Sequence, residues 1–365
     1  DSITIDTVKP SQPAGVTLPE FSGLASATMS WTAGSDLVNF DTHKIMLCTA
    51  SDCETGCVGE AEAADTSYDF VSLVDGTSYY GCVQSRDGAG NLSNWAVSST
   101  ALTIDMTNPM FPSDITMPTT ANSDFEIAFT AGVEPNLVGF NIKACATSDC
   151  ASDCVAGSVA TTAASPGTIQ TADMVANTDY YGCVQAEDAV GQLSPWAASE
   201  ATINYDLTPP TGTISLYGGE IYSTLTPTID LTESGGAVKY QLCGNAADAG
   251  LECTEIYRAW ATFEESPPAF TMSPGDGMRT IYAQFQDFAG NVGATVSDSV
   301  TVDTTAPSPP TGVTIPAVGG MNTTVTWTGD GTDNLSFRTH NVRVCTGSDC
   351  TSGCLGDTTA LSGSA

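Results

Sequence analysis

The stretch Asp87-Gly88-Ala89-Gly90-Asn91 returns as Asp188-Ala189-Val190-Gly191-Gln192 and again as Asp287-Phe288-Ala289-Gly290-Asn291. A second stretch, Asp-x-Thr-x-Pro, starts at Asp6, Asp105, Asp206 and Asp303. A third, Cys-x4-Cys-x3-Cys, stands at Cys48/Cys53/Cys57, Cys145/Cys150/Cys154 and Cys345/Cys350/Cys354. Self-similarity at a fixed period marks a repeat array, and here the period is about 100 residues. The length of 365 residues alone implies two or three domains. The repeats raise that to units at 6–104, 105–205 and 206–302 and an incomplete one at 303–365. Ser2-Ile3-Thr4-Ile5 precedes Asp6 as Ala101-Leu102-Thr103-Ile104 precedes Asp105, so residues 1–5 read as the last strand of a preceding unit. Both end fragments are expected to be disordered, or completed by another copy or by further sequence, because open sheet edges invite pairing.

The units are built of strands. Ala27-Thr28-Met29-Ser30-Trp31, Phe125-Glu126-Ile127-Ala128-Phe129 and Lys44-Ile45-Met46-Leu47-Cys48 alternate apolar and polar positions. Gly, Pro, Asn, Asp and Ser separate such runs, and no stretch holds a 3.6-residue period. Short strands in units of this size predict antiparallel sandwiches.

Charge narrows the function. Nine Lys and Arg face 42 Asp and Glu, a net charge of −33. Phosphate neutralisation needs clustered cations, so nucleic-acid partners are excluded, and anionic membrane surfaces with them. No apolar run reaches the roughly 20 residues of a membrane helix, so no insertion is expected. Thirteen cysteines point to an oxidising, extracellular compartment.

Each unit resembles a fibronectin type III or immunoglobulin-like module of bacterial secreted and surface proteins. Trp31 and Trp327 stand where that family puts its strand-B core tryptophan, with Phe129 in the second unit. Thr77-Ser78-Tyr79 and Thr178-Asp179-Tyr180 look like the tyrosine corner that opens strand F, and the Asp-x-Ala-Gly-Asn stretch is similar to the F–G turn. The third unit lacks the tryptophan and the strand-F cysteine. The resemblance implies an all-β fold of tandem antiparallel sandwiches arranged as an extended rod, and it says little of function.

Catalytic chemistry finds no foothold. His43 with Cys48, Cys53 and Cys57 has the residue types of a zinc site, but Phe140 takes the histidine's place in the second unit, which marks a core position. His43 and His340 both fall on inward strand faces, and no Gly-x-Ser-x-Gly occurs. A glycosidase pair is open by residue type, yet the acids recur at equivalent loops, as a scaffold feature would. No enzyme activity is expected. Trp95 and Trp196, after the F–G turn, either stack on sugars or cover the sandwich edge.

The acidic loops are the strongest lead. In this fold the N-terminal segment and the B–C and F–G loops share one pole. That gathers Asp6, Asp36 and Asp87, then Asp105, Glu134 and Asp188, then Asp206, Glu233 and Asp287. Such sets suit Ca²⁺; the alternative is that each Asp caps its own turn. No other cofactor is called for. The Asn-x-Ser/Thr triplets at Asn91, Asn322 and Asn334 matter only in a host that glycosylates them.

The cysteine pairing follows from a loss. The third unit keeps Cys243, which matches Cys48, and Cys253, which lies at nearly the Cys57 spacing; it has Tyr282 at the Cys82 position. Bridged cysteines vanish together, because an orphan thiol is reactive. The expected pairs are Cys48–Cys57, Cys53–Cys82, Cys145–Cys154, Cys150–Cys183, Cys243–Cys253 and Cys345–Cys354. The rival pairs Cys48 with Cys82 and Cys53 with Cys57.

The expected function is a structural repeat segment of an extracellular, cell-surface fibre, stalk or adhesin, stiffened by disulfides and Ca²⁺. Its partners would be further modules of the same chain or other copies. One alternative is a glycan- or partner-binding adhesin module, using Tyr217, Tyr222, Tyr257 and Trp260 in the third unit. Another is a non-catalytic spacer of a secreted hydrolase.

Overall fold

The computed structural model describes residues 5–217, 221–245, 259–268, 271–272, 274–317 and 323–361. The chain divides into two compact units, Asp1–Asp206 and Leu207–Ala365. The first holds two sandwiches and the second holds a third sandwich followed by a smaller region.

The first sandwich contains β1 (Ala14–Thr17), β2 (Phe21–Ser22), β3 (Ser26–Thr32), β4 (Phe40–Cys48), β5 (Val58–Ala63), β6 (Ser67–Val71), β7 (Ser78–Asp87), β8 (Ala96–Val97) and β9 (Leu102–Ile104). One sheet runs β1-β3-β6 and the other β2-β9-β7-β4-β5, with β8 on β7. The second repeats this with β10 (Ser113–Thr116), β11 (Thr120–Ala121), β12 (Phe125–Thr130), β13 (Leu137–Cys145), β14 (Ala160–Thr162), β15 (Gly167–Ile169), β16 (Thr178–Asp188), β17 (Ala197–Ala198) and β18 (Ile203–Tyr205). Its sheets run β10-β12-β15 and β11-β18-β16-β13-β14, with β17 on β16. The third has β19 (Thr211–Tyr217) on β21 (Thr228–Ser234), facing a sheet of β20 (Ile221–Tyr222), β25 (Val296–Val302), β24 (Gly277–Asp287), β22 (Ala237–Asn245) and β23 (Ala261–Thr262). Beyond it, β26 (His340–Cys345) pairs with β27 (Cys354–Ala360). The chain is therefore an all-β run of tandem sandwiches.

Alternation builds the cores. On β3, Ala27, Met29 and Trp31 turn inward between exposed polar neighbours; on β12, Phe125, Ile127 and Phe129 turn inward, with Glu126 exposed and Ala128 half-buried between them. They pack on Ile45, Leu47, Tyr79 and Val83 in the first sandwich, and on Phe140, Ile142, Tyr180 and Val184 in the second. Burying side chains of this size stabilises by roughly 1.5–3 kcal/mol each. Gly81 and Gly182 follow from this packing. A Cβ there would lie 2.5 Å from Met29 Sδ and 2.4 Å from Met117 Sδ, respectively.

The corner that leads into the long strand (β7, β16 or β24) is tied down in each sandwich. Val74 N–H donates to the Tyr79 hydroxyl at 3.3 Å and Val175 N–H to the Tyr180 hydroxyl at 2.8 Å. In the third sandwich the aligned residue is Arg279. Its buried guanidinium donates to the carbonyls of Gly275 at 2.7 Å and Met278 at 3.0 Å. The same loop is held by a side chain of opposite hydrogen-bonding character.

Candidate functional site

Each module's pole is assembled by the turn that ends its long central strand. In the first module, Asp87 Oδ1 accepts from the N–H groups of Ala89 and Asn91 at 2.9 and 2.8 Å. The Asn91 amide donates to Asp87 Oδ2 at 2.9 Å and to the linker carbonyls of Asp6 and Val8 at 3.2 and 3.3 Å. In the second module, Asp188 Oδ1 accepts from Val190 and Gln192, and Gln192 Nε2 donates to the linker carbonyl of Asp105 at 2.8 Å. The repeated turn is therefore a clamp: its Asp fixes the turn, and its terminal amide grips the incoming linker. Burial pushes the Asp87 carboxyl up, but the donors of Asn91, Ala89 and Gly90 outweigh it and hold the group below the usual carboxylate range.

The carboxylates of Asp6, Asp36 and Asp87 come within 4.8 Å of one another. Asp36 Oδ1 accepts from Val38 and Asn39 N–H, and Asp6 Oδ1 from Val8 N–H. Turn capping and convergence thus hold together. Asp6 Oδ2 is buried with no hydrogen-bond partner. Asp105, Glu134 and Asp188 are not brought together in this way. Asn136 Nδ2 donates to Asp105 Oδ2 at 2.6 Å, so an amide stands against the linker carboxylate. Glu134 Oε1 turns instead to Asn136 N–H at 3.5 Å. Glu233 Oε2 accepts from Ala237 N–H and Asp287 from Asn291, while Asp206 belongs to the other compact unit. Among the described residues no second group of three or more His, Cys, Asp and Glu side chains converges as the first does.

The cysteines lie on the outer face of the β4–β7 and β13–β16 sheets, in clusters separate from the main cores. Sulfur–sulfur bonds join Cys48 to Cys57 and Cys53 to Cys82 in the first module, Cys145 to Cys154 and Cys150 to Cys183 in the second, and Cys345 to Cys354 near the end. Cys350 is a free, exposed thiol. The expected Cys243–Cys253 pair lies outside the described residues, because Cys253 is not among them. Trp95 and Trp196 pack half-buried on these clusters, and the Lys143 ammonium sits 3.9 Å from the Trp196 ring centre. They cover the disulfides.

The residue before each middle cysteine also has a structural role. Asp52, Asp149 and Asp349 cap the turns on which Cys53, Cys150 and Cys350 take left-handed φ values of 57°, 53° and 53°. Asp149 Oδ1 accepts from Ala151 and Ser152 N–H, and Oδ2 from the Ser152 hydroxyl at 2.6 Å. These donors, with Thr147, hold Asp149 far below the carboxylate range. The threefold Cys-x2-Ser-Asp-Cys stretch, starting at Cys48, Cys145 and Cys345, was the available signal.

His43 and His340 are both core residues, 1 % and 6 % exposed, and neither lies beside a cysteine sulfur in a ligand set among the described residues. Of the aromatic patch expected on the third module, Tyr217 is exposed, Tyr222 is buried in the core and Trp260 is half-buried. Tyr257 lies outside the described residues. Tyr222 therefore cannot contribute a face to a surface ligand. No described helix is long and apolar enough to cross a membrane.

No family model matches the chain. Among curated proteins, Exoglucanase B of Cellulomonas fimi is 29 % identical over 324 residues, covering 85 % of this chain and 27 % of that protein. The chain thus spans about a quarter of that relative's length. Among solved structures, the FN1–FN3 domains of chicken CNTN1 are similar at 16 % identity and a TM-score of 0.36, over 80 % of this chain and 99 % of that one.

Proposed function

We propose that this chain is a non-catalytic spacer segment of a secreted protein, in which stapled sandwiches and clamped joints hold other parts at a set distance. The linker clamp carries the reading. An amide from the turn after the long strand grips the linker backbone in the first module (Asn91) and again in the second (Gln192), which is what a stiff joint requires. The five described disulfides support an oxidising, extracellular compartment. The similarity to about a quarter of Exoglucanase B supports attachment to a glucan-degrading enzyme whose catalytic part lies elsewhere. A fibre or stalk would use the same construction. A divalent cation of the Ca²⁺ type at Asp6, Asp36 and Asp87 belongs to this reading, supported by their convergence and by the buried, unpartnered Asp6 Oδ2.

The test is an assay of the purified chain on soluble glucans and on glucan-coated beads. A spacer neither releases sugar nor is retained. Turnover, or saturable retention that survives high salt, would overturn the reading.

A further inference from the structure

His43 is a buried imidazole in the first sandwich, on the inward face of β4 opposite Ser85 of β7. The Trp31 ring meets it edge-on with centroids 5.4 Å apart, and Phe40 lies at 5.0 Å. Its Nδ1 is 3.2 Å from the Ala63 carbonyl. A carbonyl only accepts, so Nδ1 carries the proton and Nε2 is the bare nitrogen. Nε2 is buried and has no hydrogen-bond partner.

We propose that His43 makes the first module acid-sensitive, loosening below neutral pH while the second module, with Phe140 at the same place, holds. Protonation would put an N–H⁺ on Nε2 with no anionic acceptor facing it. From β3 the facing polar group is Trp31 Nε1, itself an unpartnered donor. From β5 it is the Ala63 carbonyl, already used; Glu62 is turned outward to Arg86. On β4, Asp41 also pairs with Arg86, and Lys44 lies on the opposite strand face. From β7 come the neutral Ser85 hydroxyl and, two residues on, Asp87, whose oxygens are taken by Ala89 and Asn91. The acidic pole favours the charged ring, and so do the Ala63 and Asp65 backbones. Burial outweighs them and holds His43 below its ordinary value of 6.5. The aligned His340 differs. Its Nε2 accepts from the Gly331 N–H at 3.3 Å, and Asp330 Oδ1 lies 3.7 Å from it.

The sign follows from linkage. The unfolded module binds a proton below about pH 6.5 that the folded one refuses, so the folded form is lost as pH falls, by up to about tenfold per pH unit. The window from pH 7 to 5 lies above the ordinary carboxylate range.

The test is amide hydrogen exchange of the full chain between pH 7 and 5, corrected for intrinsic rates, in the wild type and His43→Phe. Phe140 already packs at this position against Phe129 with ring centroids 4.6 Å apart, so the substitution has a precedent in the same fold. Protection over 40–48 and 78–87 should fall in the wild type and stay level in His43→Phe, with 137–145 level in both. Ring-proton NMR of the wild type gives a readout independent of the variant, and His43 should stay neutral well below 6.5. An equal fall in wild type and variant, or a His43 ring titrating at or above 6.5, would overturn the proposal.

Discussion

Asn136 donates its side-chain amide to Asp105 Oδ2 across 2.6 Å, where the first module sets the carboxylate of Asp36 near that of Asp6. One pole closes on an internal hydrogen bond, and the other gathers negative charge around a buried, unpartnered oxygen. Asp36→Asn should therefore remove cation dependence from the first module, and Asn136→Asp should introduce it into the second. With Ca²⁺ at one hundred times its Kd, binding to the folded state alone stabilises by about 2.7 kcal/mol. Melting with Ca²⁺ and with chelator, in the wild type and both variants, checks this. Unchanged melts throughout would leave Asp36 and Asp87 as turn caps only.

The disulfides differ in the loops they close. Cys53–Cys82 spans 29 residues and Cys48–Cys57 spans nine. On the chain-entropy argument these are worth about 3.6 and about 2.6 kcal/mol. The paired Cys53→Ala/Cys82→Ala variant should thus lose more stability in urea than Cys48→Ala/Cys57→Ala. Trp95 packs on both, so its indole N–H resonance should shift in either variant.

Acid should act on the turn before Cys150 through Asp149. Its folded value is depressed by the donors of Ser152, Ala151 and Thr147. A depressed carboxyl stabilises above its unfolded value and loses that contribution as pH falls through the folded one. Asp149→Asn should therefore melt below the wild type at pH 7, with the gap closing as pH drops under about 4. A gap independent of pH would contradict the assignment.

The corner offers a comparison within one chain. Tyr180→Phe removes a single hydroxyl acceptor and should cost about 1 kcal/mol. Arg279→Met strips buried carbonyls of charged donors and should cost the third module about 2 kcal/mol, measured by local protection of β24.

What could be read in advance, and what could not, divides along physical lines. Strand alternation showed Trp31 and His43 facing inward, because period two survives in sequence wherever one face is buried, and the resemblance to a tyrosine corner implied the same of Tyr79. The loss of a Cys82 equivalent at Tyr282 yielded the pairs that the first two modules display, because bridged sulfurs come and go together. Loop chemistry was less legible. The second acidic set failed to converge because Asn136, not Glu134, is the residue that reaches Asp105, and a shift of two positions in a loop leaves no periodic trace. The role of Arg279 was hidden because it replaces an acceptor with a donor. The clamp was visible as a repeated Asn or Gln without its target, since the carbonyls of Asp6 and Asp105 carry no side-chain signature.

The clamp is the centre of the account, and backbone ¹⁵N relaxation across the first two modules tests it most directly. Residues 6–104 and 105–205 should share one rotational correlation time in the wild type, with two separate times after Gln192→Ala removes the grip on the Asp105 carbonyl. Independent tumbling of the two modules in the wild type would contradict it.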